Sequence, residues 1–228
     1  MKNILITGGS DGLGKALANY FCKNNKVIIV SENPQKLKQT TLELEGSVEG
    51  FICDVSNVEQ VKTTVEKIIK KYKTIDVLIN NAGLQIQGAL IDSDYDRINK
   101  VINVNLTGVI NVTKAVLSYM QNNKSGTIIN VNSQAGLYSK AERTVYHASK
   151  WGVTGFTKCL QPEASKFGVR VTDLLPGKMK TNTFKNMGIE KSMDDAVDTI
   201  YVCKAVDFII NLPNEVHIPE LGIKHILN

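Results

Sequence analysis

Residues 2–14 read KNILITGGSDGLG and decide the fold of this chain. The apolar run 2–7 predicts a β-strand, which leads directly into the glycine-rich turn 8–14. The apolar residues that follow recur at helical spacing, so the turn opens onto an amphipathic helix. Glycine lets the backbone approach a phosphate closely, and the helix N-terminus attracts its negative charge. The stretch therefore predicts the entrance of a dinucleotide-binding fold, although an ordinary loop between strand and helix has the same appearance.

The rest of the chain alternates apolar runs with helical patterns. Five further runs predict strands at 27–30, 51–53, 75–79, 127–131 and 169–175. This alternation predicts βαβ crossovers and an α/β, Rossmann-type, doubly wound parallel sheet in a single domain spanning residues 1–228. The length of 228 residues fits one such domain.

Several residues predict where individual helices begin, meet or end. Pro34 suits the first turn of the second helix, and Asn57 suits the cap of the third. Residues 94–120 predict two helices almost end to end, with Asn105 near their junction. We expect Pro162 to kink or end the next helix, because proline lacks a backbone donor. A last helix is predicted around 196–212.

Polar or glycine-containing segments stand where the predicted strands end. In doubly wound sheets, ligands bind beyond the carboxyl ends of the strands. We therefore expect one site built from these segments, which are Gly8–Gly14, Asp54, Asn80–Gly83, Ser133 and Pro176–Gly177.

Tyr146 and Lys150 lie four residues apart in a helical pattern, so both side chains emerge from one helix face. A nearby ammonium favours the phenolate and is expected to lower the pKa of the phenol. The phenol would then act as an acid or base near neutral pH. Taken alone, a pair of this kind is more often a half-buried aromatic beside a solvated charge.

Composition excludes several classes of protein. The net charge of +5 is scattered over the chain rather than concentrated in a stripe, so nucleic acid is not an expected partner. The four cysteines lie far apart and away from histidines, so neither a metal site nor a disulfide framework is expected. No stretch suits a membrane span, and the first apolar run is too short for a secretory signal, so we expect a cytoplasmic protein.

These motifs together resemble the short-chain dehydrogenase/reductases. The resemblance runs from residue 1 to about residue 181 and rests on Thr7-Gly8-x-x-x-Gly12-x-Gly14, Asn80-Asn81-Ala82-Gly83, Asn105, Ser133, Tyr146-x-x-x-Lys150, and Pro176-Gly177 with Thr181. The glycine spacing is that of the family's oxidoreductase branch. The resemblance implies a nicotinamide cofactor, NAD or NADP, and hydride transfer between its C4 and a carbonyl or alcohol carbon.

The resemblance also implies roles for individual residues. Tyr146 would protonate the carbonyl oxygen or take the alcohol proton, and Lys150 would lower the pKa of Tyr146 and hold the nicotinamide ribose. Ser133 would hydrogen-bond the substrate oxygen, and Asn105 would hold a water linked to Lys150. The implied cofactor-binding residues are Thr7, Gly8, Ser10, Asp11, Gly12, Leu13, Gly14, Ser31, Glu32, Asp54, Val55, Asn81, Ala82, Gly83, Tyr146, Lys150, Pro176, Gly177 and Thr181.

The sequence slightly favours NAD over NADP. A 2′-phosphate requires a basic partner, whereas a free 2′-hydroxyl donates to a carboxylate. Asp11 and Glu32 occupy the two positions where NADP-using members of the family often carry a basic residue. Against this, the residue at the end of the second strand is Ser31 rather than aspartate, and Lys36 lies close in sequence.

The C-terminal part departs from the family pattern. A short substrate lid is expected at about 178–192, and residues 215–228 lack the glycine-pair strand ending of many members. We therefore expect a homo-oligomer that is a dimer, through the helices carrying Asn105 and Tyr146, rather than a tetramer. The substrate is a small carbonyl or alcohol of unspecified class. Its expected neighbours are Leu84, Gln85, Gln134, Ala135, Leu137, Tyr138, Lys178, Met179 and Phe184.

Two other functions compete with the dehydrogenase interpretation. One is a nicotinamide-binding regulator that has lost turnover, although the complete set Asn105, Ser133, Tyr146 and Lys150 counts against it. The other is a sugar-nucleotide epimerase or dehydratase, which the glycine spacing and the short C-terminal region disfavour.

Overall fold

The computed structural model describes residues 1–186 and 188–227, and only the backbone of Phe184 and Asn186. This part of the chain forms one sheet of seven parallel strands in the order β3-β2-β1-β4-β5-β6-β7. The strands are Asn3–Thr7 (β1), Lys26–Ser31 (β2), Val48–Ile52 (β3), Val77–Asn80 (β4), Gly126–Val131 (β5), Val169–Pro176 (β6) and Glu220–Ile223 (β7). The strand order reverses between β1 and β4, where a doubly wound sheet opens a crevice. The predicted α/β fold is confirmed.

Helices connect the strands and cover both faces. They are Gly12–Phe21 (α1), Pro34–Glu43 (α2), Val58–Tyr72 (α3), Tyr95–Ile102 (α4), Gly108–Asn122 (α5), Thr144–Ser165 (α6), Thr183–Asn186 (α7) and Thr199–Ile210 (α8). A π-helical turn, Asn103–Thr107, joins α4 to α5, and short 3-10 turns span Leu90–Asp92 and Gln134–Gly136. Pro34 stands in the first turn of α2, and Asn57 caps α3 by accepting from two backbone N–H groups. Both predictions are confirmed.

The core lies in two layers because successive strand residues point to opposite faces. Ile4 and Ile6 of β1 pack with Leu17 of α1 and Val206 of α8 on one face. Leu5, between them in sequence, packs on the other face with residues of α3, α5 and α6. Both faces are therefore buried, which explains why the central strands read as continuous apolar runs.

Three sequence predictions differ from the structure. The strand expected to be missing after residue 215 is present as β7, which pairs with β6 from Asp173↔Glu220 to Pro176↔Ile223. Its half-exposed ELGI sequence carries little of the apolar signal that marks a buried strand. β3 begins at Val48, earlier than expected, because an edge strand tolerates polar residues. Helix α6 does not end at Pro162 but continues to Ser165, and the expected kink stays a prediction.

The continuous helical segment Tyr95–Asn122 is long and apolar enough to cross a membrane by length and composition alone. Its apolar side chains, among them Val101, Val112 and Val116, are instead buried in the protein core. The segment is therefore read as a core helix of this domain.

Candidate active site

A cavity of about 600 Å³ opens at the carboxyl ends of the central strands. It extends from the glycine turn after β1, past the ends of β2 and β4, to Tyr146 and Lys150 on α6. The turn adopts left-handed backbone at Gly8 (φ +65°) and Gly12 (φ +52°), which residues with a Cβ rarely adopt. Asp11 caps α1, so the N–H groups of this helix begin at the cavity.

The glycine turn is packed too tightly for side chains. A Cβ on Gly14 would lie 2.2 Å from the Gly8 carbonyl oxygen and 2.5 Å from Asn81 Nδ2. Asn81 Nδ2 in turn donates to the carbonyl oxygens of Thr7 (2.9 Å) and Gly8 (3.2 Å). The backbone of the turn is thus fixed at the N-terminus of α1, with no side chain at Gly8, Gly12 or Gly14. Its N–H groups can therefore approach a dinucleotide pyrophosphate closely.

The structure brings most of the predicted cofactor-binding residues together. Those that line the cavity are Gly8, Ser10, Asp11, Gly12, Leu13, Ser31, Glu32, Asp54, Val55, Asn81, Ala82, Gly83, Tyr146, Lys150 and Thr181. Thr7, Gly14, Pro176 and Gly177 are not among its lining residues. Thr7 is buried instead, and its Oγ1 accepts from the N–H groups of Asn81 (2.9 Å) and Ala82 (3.0 Å). Thr7 therefore holds the loop that follows β4 against the end of β1.

The polar side chains at the far end of the cavity converge on Tyr146. The side chains of Ser133 and Gln85 lie near the Tyr146 hydroxyl and act on its pKa. Lys150 lies on the same face of α6, with its Nζ 6.0 Å from the centroid of the Tyr146 ring. Lys150 Nζ donates to the carbonyl oxygen of Val131, the last residue of β5, at 3.0 Å. The Tyr146 hydroxyl, the Ser133 hydroxyl and the Lys150 cation therefore lie together at this end of the cavity.

The expected lowering of the phenol's pKa is wrong for this geometry. Burial raises the pKa of Tyr146 above its ordinary value, and the Ser133 hydrogen bond, the Arg143 charge and the Gln85 hydrogen bond only oppose this effect. Burial also lowers the pKa of Lys150 to about 8. Removal from water disfavours both charged forms, and the sequence pattern cannot show how deeply the pair is buried.

Asn105 is fully buried in the π-helical turn, behind the cavity. Its Oδ1 accepts from the Leu84 N–H (2.7 Å), and its Nδ2 donates to the Leu84 carbonyl (2.9 Å) and to Ser149 Oγ (3.0 Å). The Ser149 hydroxyl donates to the Tyr146 carbonyl oxygen at 2.7 Å. Asn105 thus fastens the loop after β4 to the helix that carries Tyr146.

Two basic residues at the other end of the cavity were not found from the sequence. Arg97 and Lys100 project from α4 into the cavity lining, and Lys100 Nζ lies 3.7 Å from Glu32 Oε2. Lys36 Nζ pairs with Asp11 Oδ2 at 2.7 Å. Each carboxylate that favoured NAD therefore has a lysine beside it. No local signal in 94–101 indicates that this helix meets the end of β2, since only the fold brings them together.

Some predicted substrate neighbours lie around the same corner. Gln85 contacts Tyr146, and both Leu84 and Met179 line the cavity. Gln134 Nε2 instead donates to the carbonyl oxygen of Leu175 at 2.8 Å. The side chain of Phe184 falls outside the described residues.

Comparison with known proteins identifies the family. The model of the short chain dehydrogenases matches residues 2–192. The 3-oxoacyl-[acyl-carrier-protein] reductase FabG of Thermotoga maritima is 37% identical over 203 residues, covering 87% of this chain and 82% of that protein. The chain therefore belongs to the short-chain dehydrogenase family. It is a nicotinamide-dependent oxidoreductase that acts on a C=O or CH–OH group of a small molecule.

Solved structures agree with this assignment. The closed form of serine dehydrogenase complexed with NADP⁺ aligns with a TM-score of 0.92 at 28% identity, covering 99% of this chain and 96% of that chain. ElxO with NADP bound aligns with a TM-score of 0.86 at 31% identity, covering 97% of each chain.

Proposed function

We propose that this protein is an NADP(H)-dependent reductase of 3-oxo compounds, in which the ketone stands two carbons from a carboxyl-derived group. The observation that carries the reductase assignment is the convergence of Ser133 and Lys150 on the buried Tyr146 at the end of the cavity. A phenol whose pKa is raised by burial stays protonated at neutral pH, which suits an acid in carbonyl reduction.

The proposed roles follow from the geometry. A nicotinamide bound in the cavity would supply the hydride to the carbonyl carbon. The Tyr146 hydroxyl would give its proton to the carbonyl oxygen, while the Ser133 hydroxyl donates a hydrogen bond to the same oxygen. Lys150, held by the Val131 carbonyl, would place a positive charge beside the phenolate that forms. Asn105 would keep the loop and α6 in register; its predicted water-holding role remains a prediction.

The substrate class is supported by two observations. The names of two relatives refer to compounds that carry oxygen at the third carbon of a carboxyl-derived chain, namely a 3-oxoacyl-[acyl-carrier-protein] and serine. In addition, one basic residue, Arg143, lies near Tyr146, and it belongs to a group of cations around Lys191. The charge of Arg143 favours a lower pKa of Tyr146. Burial lowers the pKa of Lys191, and the charges of Arg143, Lys178 and Lys140 lower it further. Such a group of cations, with Asp195 among them, suits an oxygen-rich substrate.

The substrate proposal is tested with purified protein by following NADPH absorbance. We expect acetoacetyl-CoA to be reduced with kcat/KM at least about tenfold above that of cyclohexanone, because one charge-assisted hydrogen bond is worth about 1.5–3 kcal/mol. Equal rates for the two ketones would contradict the 3-oxo class while leaving the reductase assignment intact. Nucleotide binding without turnover of any carbonyl would instead favour the inactive regulator.

The proposal of NADP(H) rests on the charge at the Ser31 end of the cavity. There, Lys36 and Lys100 pair with Asp11 and Glu32, and the cavity lining also contains Arg97 and a third carboxylate, Asp54. The hydroxyls of Ser10 and Ser31 lie 2.7 Å apart at the same place and offer further donors to a phosphate. The two solved relatives also hold NADP or NADP⁺. The slight preference for NAD, drawn from the two carboxylates alone, is not supported.

The cofactor form is tested by comparing kcat/KM with NADPH and NADH. We expect at least about a tenfold advantage for NADPH, equivalent to about 1.4 kcal/mol from pairing the 2′-phosphate with a lysine. Lys36→Gln is expected to raise KM for NADPH and to leave KM for NADH unchanged. Lys38→Gln, an exposed lysine on the same helix, is the matched control. A wild-type preference for NADH would overturn the proposal.

The rate of carbonyl reduction is expected to depend on pH through Lys150. Its pKa is lowered by burial to about 8, so its positive charge is present below that pH and lost above it. Because burial raises the pKa of Tyr146, the phenol remains protonated over the same range. The measured kcat/KM should therefore be constant at low pH and fall as pH rises through about 8. A rate that rises through this range would contradict the assignment.

Assembly and location remain proposals. We infer a homo-oligomer that forms through α4, α5 and α6, where Trp151 is 53% exposed on α6. The presence of β7 removes the reason for preferring a dimer to a tetramer. A cytoplasmic location and a lid at 178–192 are retained as predictions, and α7 lies within that segment.

A further inference from the structure

A buried carboxylate near the active site has no place in the mechanism above. Asp173 lies in β6, between β5 and β7, and is 1% exposed. Its Oδ2 accepts from Asn132 Nδ2 at 3.1 Å. Its Oδ1 has no hydrogen-bond partner among the described residues. A carboxylate buried within a sheet is costly, so this placement calls for a physical explanation.

The partner of Asp173 connects it to the site. Asn132 directly precedes Ser133, and its Nδ2 donates both to Asp173 and to Thr154 Oγ1 (2.8 Å). Both hydrogens of the amide nitrogen are thereby used. Because an ionised carboxylate only accepts hydrogen bonds, Asp173 determines that the nitrogen of Asn132, rather than its oxygen, faces β6 and α6.

Thr154 continues the connection to the helix of Tyr146 and Lys150. It lies one turn after Lys150, and its hydroxyl is within hydrogen-bond distance of the carbonyl oxygens of Gly136 (3.2 Å) and Lys150 (3.3 Å). Gly136 ends the short turn that begins after Ser133, whose Oγ accepts from the Ala135 N–H at 3.1 Å. A Cβ on Gly136 would lie 2.6 Å from Thr154 Oγ1. The turn that follows Ser133 is therefore packed tightly against α6.

The charge of Asp173 also acts on Lys150. Lys150 is buried and donates to the neutral Val131 carbonyl, while burial lowers its pKa and Asp173 opposes that change. Burial likewise raises the pKa of Asp173, and Lys150 opposes it. The other charge that faces Asp173 is Glu220 of β7, which lies 3.7 Å from Lys158 Nζ. Asp173 and Lys150 are therefore two buried groups of opposite charge type, and they are connected through the adjacent residues Val131 and Asn132.

We propose that Asp173 is a positioning residue, which orients the Ser133 turn through Asn132 and Thr154 and keeps the buried Lys150 positively charged. This inference rests on the proposed function, because it assumes that Ser133 and Lys150 serve the same reaction. It concerns a residue that touches neither cofactor nor substrate.

The test is the variant Asp173→Asn, which keeps the shape of the side chain and removes its charge. Without the carboxylate charge, Lys150 loses its proton at lower pH. The amide oxygen of asparagine can still accept from Asn132 Nδ2, so the orientation is retained. We expect kcat/KM with NADPH to fall about fivefold at pH 8, as a drop of one pKa unit on Lys150 implies, and to return to within about twofold of wild type at pH 6. The descending limb of the pH profile should move to lower pH. A purely structural role would lower activity equally at both values.

Glu220→Gln is the matched control, since it removes the other carboxylate that faces Asp173. It should leave the descending limb where it is in the wild type or move it to higher pH. Binding of NADPH, followed by fluorescence over the same pH range, gives a readout independent of turnover. In Asp173→Asn, the affinity should weaken at lower pH than in the wild type.

A second variant keeps the inference testable if Asp173→Asn does not fold. Thr154→Val breaks the connection but retains the charge, so kcat/KM should fall at least about fivefold with the descending limb unmoved, as loss of one buried hydrogen bond implies. An unshifted limb in Asp173→Asn, or wild-type activity in Thr154→Val, would overturn the inference.

Failure of the wild type to reduce any carbonyl would overturn the proposed function instead, and the NADPH binding profile would still report on Asp173.

Discussion

Tyr146→Phe is expected to lower kcat for carbonyl reduction by about 10²–10⁴-fold, the usual contribution of a positioned general acid. The phenol is the buried proton donor near Ser133 and Gln85, and phenylalanine fills the same space without a proton to give. Because the ring remains, the free energy of unfolding should change little. The measurement is the rate of NADPH oxidation with the best ketone substrate, together with NADPH affinity by fluorescence.

The control for this variant is Tyr95→Phe. Tyr95 is 82% exposed at the start of α4, so loss of its hydroxyl should leave kcat within about twofold of wild type, as surface changes usually do. NADPH affinity should be retained in both variants. Unchanged turnover in Tyr146→Phe would remove Tyr146 from the mechanism and leave only the fold assignment.

Gly14→Ala is expected to weaken cofactor binding more than about tenfold, with loss of stability as its second effect. The added Cβ would lie 2.2 Å from the Gly8 carbonyl oxygen and 2.9 Å from the Gly8 carbonyl carbon. These are backbone atoms of the turn, so the clash is relieved only by moving the turn itself. We expect a destabilisation of about 1–3 kcal/mol, as for overpacked cores, and an NADPH Kd raised more than about tenfold.

The matched control is Gly155→Ala in α6, where nothing lies within 4 Å of the added Cβ. Alanine within a helix is more stable than glycine by about 0.5–1 kcal/mol, so the melting temperature should rise slightly. NADPH affinity should not change. Thermal unfolding and fluorescence titration measure both variants. Equal NADPH affinity in Gly14→Ala and wild type would show that the glycine turn does not hold the cofactor.

The fold was largely accessible from the sequence because its signals are local. The run 2–14 specifies a strand, a turn and a helix through the spacing of apolar residues and glycines alone. The alternation of strands and helices then predicts a doubly wound parallel sheet covered by helices. β7 was missed because a short, half-exposed edge strand carries no such pattern. Its pairing with β6 depends on the position of the rest of the sheet.

The sequence also indicated which residues meet at the site, because the carboxyl ends of parallel strands share one edge. The pKa values and charge pairs of the site could not be predicted from the sequence. Burial, which raises the pKa of Tyr146 and lowers that of Lys150, depends on neighbours from several elements. The contact of Lys100 with Glu32 joins residues 68 positions apart. The preference for NAD was therefore drawn from the carboxylates of Asp11 and Glu32 without the lysines that pair with them.

The sequence by itself determined the strand-turn-helix unit, the α/β class and the residues at the strand ends, since each depends on short-range spacing. Tertiary structure alone decided the charge around the cofactor end, the burial of Tyr146 and Lys150, and the connection from Asp173 through Asn132 to Thr154. The physical reason is that desolvation and charge act through space. They are set by residues that the fold brings together from distant parts of the chain.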